Sequence, residues 1–299
     1  MKLSALSKSE VAERLKKQGL CLQVGPVTVK VHSALVIVHD GIFALYADYL
    51  LADEDYADFH IEINPPKNLR RWYHPQVDFY FDGFRPFKPL PQDQAFALFE
   101  WSFNWCVASY CHTYLILHAA VIEKNNRAII MPAPPGSGKS TLTAGLVAKG
   151  WRLFSDELAM LPLDSENIVA LPRPVSLKNQ SIDVMQNYAP GSILGPIAYD
   201  TSKGTVAHMK VPAESVARAL EPAKPCYVIF PKYQSDQKAV LTPVKKAQAF
   251  MHLAENAFNY QTLRQAAFEK LSGVIDDCQV FQFTYNNLDD AQEVFENLP

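Results

Sequence analysis

The sequence lacks a cysteine framework. Its five cysteines, Cys21, Cys106, Cys111, Cys226 and Cys278, form no Cys-x-x-Cys pair and are odd in number. That pattern excludes a disulfide scaffold or zinc ribbon and reads as the reduced thiols of a cytoplasmic protein. No apolar run approaches the about 18 residues of a membrane-spanning helix, and the N-terminus is polar, so neither a membrane segment nor a signal peptide is expected. A net charge of only −3 over 299 residues leaves no electrostatic basis for a nucleic-acid partner. The Asn-Lys-x-Asp stretch of guanine-specific switches is absent, and no internal repeat is visible. Arginine is sparse as well: beyond Lys139 only Arg152, Arg173, Arg218 and Arg264 occur, fewer than the lid of a metabolite kinase usually carries.

What the chain does have is an apolar fraction of 48%, enough for one large or two ordinary cores, and one phosphate-loop signature. Residues 133–141 read Ala-Pro-Pro-Gly-Ser-Gly-Lys-Ser-Thr. An apolar run, 127–132, enters as a buried strand would. Residues 142–149 leave with helical spacing, and Gly150 stands where a helix stops. Strand, glycine loop, Lys-Ser and helix together are the context such a loop requires. Pro135, Gly136, Ser137, Gly138, Lys139, Ser140 and Thr141 are therefore the expected nucleotide-binding residues. Their amides and the positive end of the helix would face phosphate. Lys139 would reach the terminal phosphates and the Ser140 hydroxyl would hold Mg²⁺. The usual first glycine is replaced by Ala133, and Pro134 and Pro135 stiffen the entry while removing two donors.

Along the chain, Ser7 and Glu10 form a capping box with Leu6 and Val11 as its staple, opening a helix that ends by Gly19. Strand-like runs follow at 20–24, 27–31 and 34–38, then a helical run at 42–50. Residues 58–63 and 77–81 alternate as half-buried strands do. The basic, aromatic stretch 67–74 between them is either a solvated hairpin tip or a partner surface. Residues 85–91 are a proline-broken connector, and 92–112, free of Gly and Pro, a buried helix. A hairpin through Asn125 and Asn126 joins strands 114–123 and 127–131. Strands are also expected at 151–154, 158–163, 168–171, 206–211, 226–230 and 239–241, with an edge strand at 280–285. Helices are expected at 181–188, 245–258, 262–275 and 288–298, and 200–205 reads as polar loop. The domain division that follows is residues 1–91 as a mostly β module, 92–113 as a connecting hinge helix, and 114–299 as the phosphate-loop domain.

A bound nucleotide needs an acid for Mg²⁺ and, for transfer to an alcohol, a base. Asp156 and Glu157 follow the strand after the loop helix, where a parallel sheet would open them onto the phosphate loop's crevice. Adjacent acids can divide the work, one on the metal and one on the hydroxyl. Arg173, Lys178 and Lys203 are the cations expected near the γ-phosphate or the acceptor, since phosphoryl transfer depends on positioned charge.

The stretch His118-Ala-Ala-Val, Gly136-Ser-Gly-Lys-Ser140, Lys149-Gly-Trp-Arg-Leu, Ser155-Asp156-Glu157 resembles the kinase domain of HPr kinase/phosphorylase, whose fold is related to phosphoenolpyruvate carboxykinase. The whole chain looks still more like the HprK-related kinase A family, through Glu100-Trp-Ser-Phe-Asn-Trp-Cys106, Pro172-Arg-Pro-Val-Ser-Leu-Lys-Asn179 and Lys203-Gly-Thr-Val-Ala-His208. The resemblance implies an α/β fold, with a P-loop, HPr kinase-like domain preceded by the mostly β module. It implies ATP and Mg²⁺ as ligands, Asp156 as the acid/base, and Glu157 beside Ser140 and Asp156 on the metal. His118 would sit behind the site and orient an acid, although it also reads as a core histidine. A homo-oligomer is implied by analogy. Two features depart from HPr kinase: its acid pair is Asp-Asp, and its later glycine-rich signature is missing here, which leaves the reverse phosphorolysis unsupported.

The expected activity is therefore ATP-dependent phosphorylation of a hydroxyl, in first place a serine of a small protein or peptide. The alternatives are a small-molecule kinase of the same fold or a nucleotide-gated switch. No nucleic-acid or membrane partner is expected.

Overall fold

A computed structural model describes residues 1–53 and 56–298. The first part of the chain forms α1 (Lys8–Lys16), β1 (Leu20–Val24), β2 (Val27–Ser33), α2 (Val36–Leu45), β3 (Leu50–Leu51), β4 (Phe59–Asn64), β5 (Gln76–Phe81), β6 (Leu90–Pro91) and α3 (Ala95–Tyr110). The middle part forms β7 (Tyr114–Lys124), β8 (Arg127–Pro132), α4 (Lys139–Ala148), β9 (Arg152–Ser155), β10 (Leu158–Pro162), β11 (Val175–Lys178) and α5 (Gln180–Tyr188). Then come β12 (Ala198–Thr201), β13 (Gly204–Met209), α6 (Ala213–Ala217), β14 (Lys224–Tyr233), β15 (Val240–Pro243), α7 (Lys246–Glu255), α8 (Tyr260–Leu263), α9 (Gln265–Asp277), β16 (Gln279–Tyr285) and α10 (Leu288–Glu296). The fold is mixed α/β, with three sheets.

The local signals act as their chemistry requires. Ser7 N donates to Glu10 Oε2 at 2.7 Å and Glu10 N to Ser7 Oγ at 3.3 Å, closing the capping box that starts α1. Asn125 and Asn126 both take positive φ, 54° and 61°, the conformation a two-residue hairpin needs between β7 and β8. Residues 69–75 are exposed at the tip between antiparallel β4 and β5, so the basic, aromatic stretch is a solvated hairpin tip.

The first sheet runs β3-β1-β2-β4-β5-β6. Here the apolar stretch 34–50 departs from expectation: one helix, α2, occupies Val36–Leu45. Ser33 ends the strand, its hydroxyl donating to Ile63 O at 2.7 Å and accepting from Leu35 N at 3.1 Å. An unbroken apolar run does not by itself distinguish helix from strand. The expected hinge, α3, is instead core. Phe99, Phe103 and Cys106 share one buried cluster with β2 and β4 and with Ile116, Leu158 and Met160 of the second sheet.

The second sheet runs β10-β7-β8-β14-β16-β15, with β9 also paired to β7. β8, β14 and β16 are parallel, whereas β9 and β10 both lie antiparallel to β7. β7 is buried on both faces. Ala120 and Ile122 meet Leu142, Leu146 and Phe295 on one side; Ala119 and Val121 meet Leu253, Leu271 and Ile275 on the other. Residues 280–285 are not an edge, because β15 pairs outside β16. Residues 168–171 make only isolated bridges, and the helix expected over 262–275 is broken at Arg264, whose φ is 51°. Of the residues 200–205 expected as polar loop, only 202–203 form a turn; 200–201 end β12 and 204–205 begin β13, which with β11 make the third sheet. Among the described residues no helix is long and apolar enough to cross a membrane.

Because α3 is wedged between the two sheets, Phe99→Ala should cost about 3–5 kcal/mol in urea unfolding, as truncation of a buried phenylalanine does. A loss under about 1 kcal/mol would mean that α3 is not part of the core.

Candidate active site

β8 brings the chain up through a wholly buried stretch to Ala133, after which Pro134, Pro135 and Gly136 emerge at the surface. Gly136 and Gly138 have φ of +84° and +88°, which only glycine adopts without strain. Gly138 is also crowded from below: a Cβ there would lie 2.5 Å from Tyr285 Oη and 2.9 Å from Tyr233 Cβ. Tyr285 Oη donates to Gly138 O at 2.9 Å, and Tyr233 N to Ser137 O at 2.9 Å. The ends of β14 and β16 therefore hold the loop by its carbonyls. α4 begins at Lys139, and its first-turn amides have no intrahelical acceptor.

Lys139 is buried, its Nζ donating to Asp156 O at 3.0 Å. Burial holds its pKa below the usual lysine range, with Asp156 and Glu157 working against that shift. Ser140 Oγ donates to Asp156 Oδ2 at 3.0 Å, and Ser176 N reaches the same oxygen at 3.1 Å. The other oxygen, Asp156 Oδ1, is buried without a hydrogen-bond partner among the described residues. The two acids do not stand at the end of a strand in a parallel sheet, as the sequence suggested. They interrupt one path along antiparallel β7, with β9 before them and β10 after them. The acids still reach the phosphate loop, because β8 and β9 run in one direction on either side of β7.

The two carboxyls are driven apart electrostatically. Burial pushes Asp156 up to about 6, outweighing the pull of Lys139, with Glu157 adding to the rise. Glu157 is half-buried; desolvation works to raise it, but Lys139, Lys178, Lys203 and Arg173 together outweigh that and hold it below the usual glutamate range. Two neighbouring titratable groups separated in this way are a mark of acid/base division.

Arg173 is not the free cation that the sequence suggested. Its Nη2 donates to Glu100 O at 2.7 Å and to Glu100 Oε2, and its Nη1 donates to Asn104 Oδ1. Its guanidinium also lies 4.4 Å from the Phe103 ring centroid. Asn104 Nδ2 in turn donates to Glu157 Oε2, so Arg173 positions the second acid through Asn104. Tyr46 Oη donates to Glu100 Oε1 at 2.8 Å and Tyr49 Oη to Pro172 O at 2.7 Å. The first sheet's helix α2 and the chain just after it thus support the site.

His118 lies on β7 opposite Leu158. Its ring bonds to neither acid among the described residues, and it sits 5.6 Å from the Phe258 ring. The role of orienting an acid falls to Asn104 instead. Burial pushes the imidazole down to about 4, helped by Lys139, so His118 is neutral at physiological pH. Lys178 and Lys203 line a cavity of about 250 Å³ together with Asp156, Glu157, Arg173 and Ser176. Glu100, Asn104 and His208 also line it and were given no chemistry from sequence. Glu100 and Asn104 stand one turn apart in an otherwise apolar helix, and that spacing was the signal available.

Among the described residues no three His, Cys, Asp or Glu side chains converge to hold a metal by themselves. A hydroxyl and a carboxylate bonded to each other, with one carboxylate oxygen unpartnered, fit a Mg²⁺ shared with nucleotide phosphates, the usual situation for that ion. A scan against protein-family models finds none that matches the chain, and a search of curated proteins finds no match either.

The raised Asp156 pKa has a consequence for stability. Its carboxyl binds a proton more tightly folded than unfolded, so stability falls as pH rises from the ordinary value of 3.8 to about 6 and the loss is complete above that. At about 1.4 kcal/mol per unit this amounts to roughly 3 kcal/mol. Asp156→Asn should therefore raise the unfolding midpoint at pH 7.5 in metal-free buffer, and the gain should vanish below about pH 4. A variant that is less stable than wild type at pH 7.5 would contradict the assigned environment.

Proposed function

We propose that the chain is an ATP-dependent phosphotransferase with a P-loop, HPr kinase-like core, moving a phosphoryl group to a hydroxyl. The observation that carries this reading is the position of Asp156. One of its oxygens accepts from the loop serine, the other is buried without a partner among the described residues, and the residue itself lines a separate cavity. ATP would supply the transferable phosphoryl, and Mg²⁺ would be held by Ser140 and Asp156 on the loop side. Glu157 contributes charge from its place at the cavity wall.

In this reading the loop amides and Lys139 hold the polyphosphate. Asp156 Oδ1 takes the acceptor proton; a carboxyl raised toward neutrality is a stronger base than an ordinary aspartate while still ionised at pH 7. Lys178 and Lys203 lie where charge builds up between donor and acceptor, the main service an enzyme gives this reaction. A nucleotide-gated switch would need no buried carboxylate with an unpartnered oxygen on a residue that lines a second cavity, so phosphotransfer is the better account. The fold supports it through the β8–loop–α4–β9 order, which sets the acids one strand away from the loop.

The test is transfer of label from γ-labelled ATP into cell extract. Asp156→Asn should lose about 10²–10⁴-fold, the contribution of a positioned base, while ATP binding measured by calorimetry persists. Lys139→Ala should lose ATP binding itself. Transfer by Asp156→Asn at the wild-type rate would remove Asp156 from the role of base.

A further inference from the structure

Resting on the phosphotransfer reading, we propose that the acceptor is a small hydroxylated molecule with an apolar body and an anionic group, bound in the cavity behind Asp156. None of the phosphate-loop residues 133–141 lines this cavity, while Ser155, Asp156 and Glu157 do. It is therefore a compartment distinct from the loop, with Asp156 as the residue that both lines it and bonds the loop serine.

Its walls differ in character. On the α3 side stand Leu90, Ala97, Leu98 and Trp101, an apolar face on which Trp101 remains 41% exposed. A large aromatic left open inside a cavity is a surface for a flat or apolar ligand body. Across from it are Lys178, at the end of β11, and Lys203, in the β12–β13 turn. Neither has a carboxylate within ion-pairing distance among the described residues, whereas the cavity's other cation, Arg173, is satisfied by Glu100. Both lysines act on Glu157 on the same cavity, and Lys203, exposed in its turn, also has room to meet an anionic group of a ligand.

A second unmet polar atom marks the same space. His208 is 5% exposed, lines the cavity, and its Nδ1 has no partner among the described residues. Buried polar atoms are normally bonded. Here the two residues that carry such atoms, His208 (Nδ1) and Asp156 (Oδ1), line one cavity. A ligand hydroxyl at Asp156 and a second polar group at His208 would satisfy both.

The size of the cavity favours a small molecule over a protein serine. Its about 250 Å³ lies below the about 300–1,000 Å³ of ordinary ligand pockets. Gln94 Nε2 donates to Tyr199 O at 3.0 Å and Asp200 O at 3.3 Å, lacing the β12–β13 hairpin to the residue just before α3 at one side of the cavity. The step balances as follows. The acceptor oxygen bonds to the γ-phosphorus, the bond from that phosphorus to the β–γ bridging oxygen breaks, ADP leaves with the electron pair, and the hydroxyl proton passes to Asp156.

The experiment uses the full chain with Mg²⁺, γ-labelled ATP and a cell extract separated by ultrafiltration into small molecules and macromolecules. It counts only label that depends on added protein and is not inorganic phosphate. Label should enter the small-molecule fraction. Ala97→Trp, which fills the apolar wall without touching the loop, should reduce that transfer by about tenfold or more, with calorimetric ATP affinity unchanged as proof of folding. Label confined to macromolecules, label in neither fraction, or small-molecule transfer unaffected by Ala97→Trp would each overturn the proposed acceptor. Failure of the wild-type protein to bind ATP would instead remove the phosphotransfer reading beneath it.

Discussion

The structure turns on one buried carboxylate shared between two spaces. Asp156 Oδ2 is held by Ser140 Oγ and Ser176 N, so its orientation is fixed by the phosphate-loop helix on one side and by β11 on the other. That leaves Oδ1 buried and without a partner among the described residues, on a residue that lines the cavity. A buried carboxylate with an unmet oxygen is unfavourable in a finished core. Its survival here depends on Lys139, whose ammonium bonds the Asp156 carbonyl, and on the strand pairs that fix β9 and β10 to β7.

The same logic explains why the first sheet belongs with the site. Glu157 is held by Asn104, Asn104 by Arg173, Arg173 by Glu100 and Glu100 by Tyr46. This chain of bonds runs from Tyr46, just after α2, through α3 to the second acid. Removing one partner of a buried ion pair such as Arg173–Glu100 strands the other, typically at about 3–5 kcal/mol. The network accordingly ties the placement of Glu157 to the integrity of the N-terminal sheet. Lys210 Nζ to Asp48 Oδ2 at 2.8 Å adds a further tie between the two parts.

Much of this was legible in the sequence where the signal is local. The Ser7–Glu10 box, the Asn125–Asn126 turn and the strand–loop–helix around Gly138 and Lys139 each depend on residues within a few positions of one another, and each takes the expected form. What depends on distant pairing was less legible. Asp156 and Glu157 do follow the end of a strand, β9, but that strand pairs antiparallel to β7 rather than in a parallel sheet, and β10 resumes along β7 beyond them. The apolar run after Ser33 carried no period to separate helix from strand. Residues 280–285 alternate as an edge strand would, yet β15 returns to cover them. Arg173 between two prolines looked like a placed cation, and only the fold brings Glu100 to neutralise it. For Asn104 the local signal was only its one-turn spacing from Glu100, and its partners lie 53 and 69 residues away.

The most direct measurement is a crystal structure with Mg²⁺ and a non-hydrolysable ATP analogue. The account predicts polyphosphate against the amides of Gly136–Ser140, the ion touching Ser140 and Asp156, and the γ-phosphate on the side of Asp156 that opens to the Lys178–Lys203 cavity. A polyphosphate seated elsewhere, or an Asp156 carboxylate turned away from both the ion and the cavity, would contradict it.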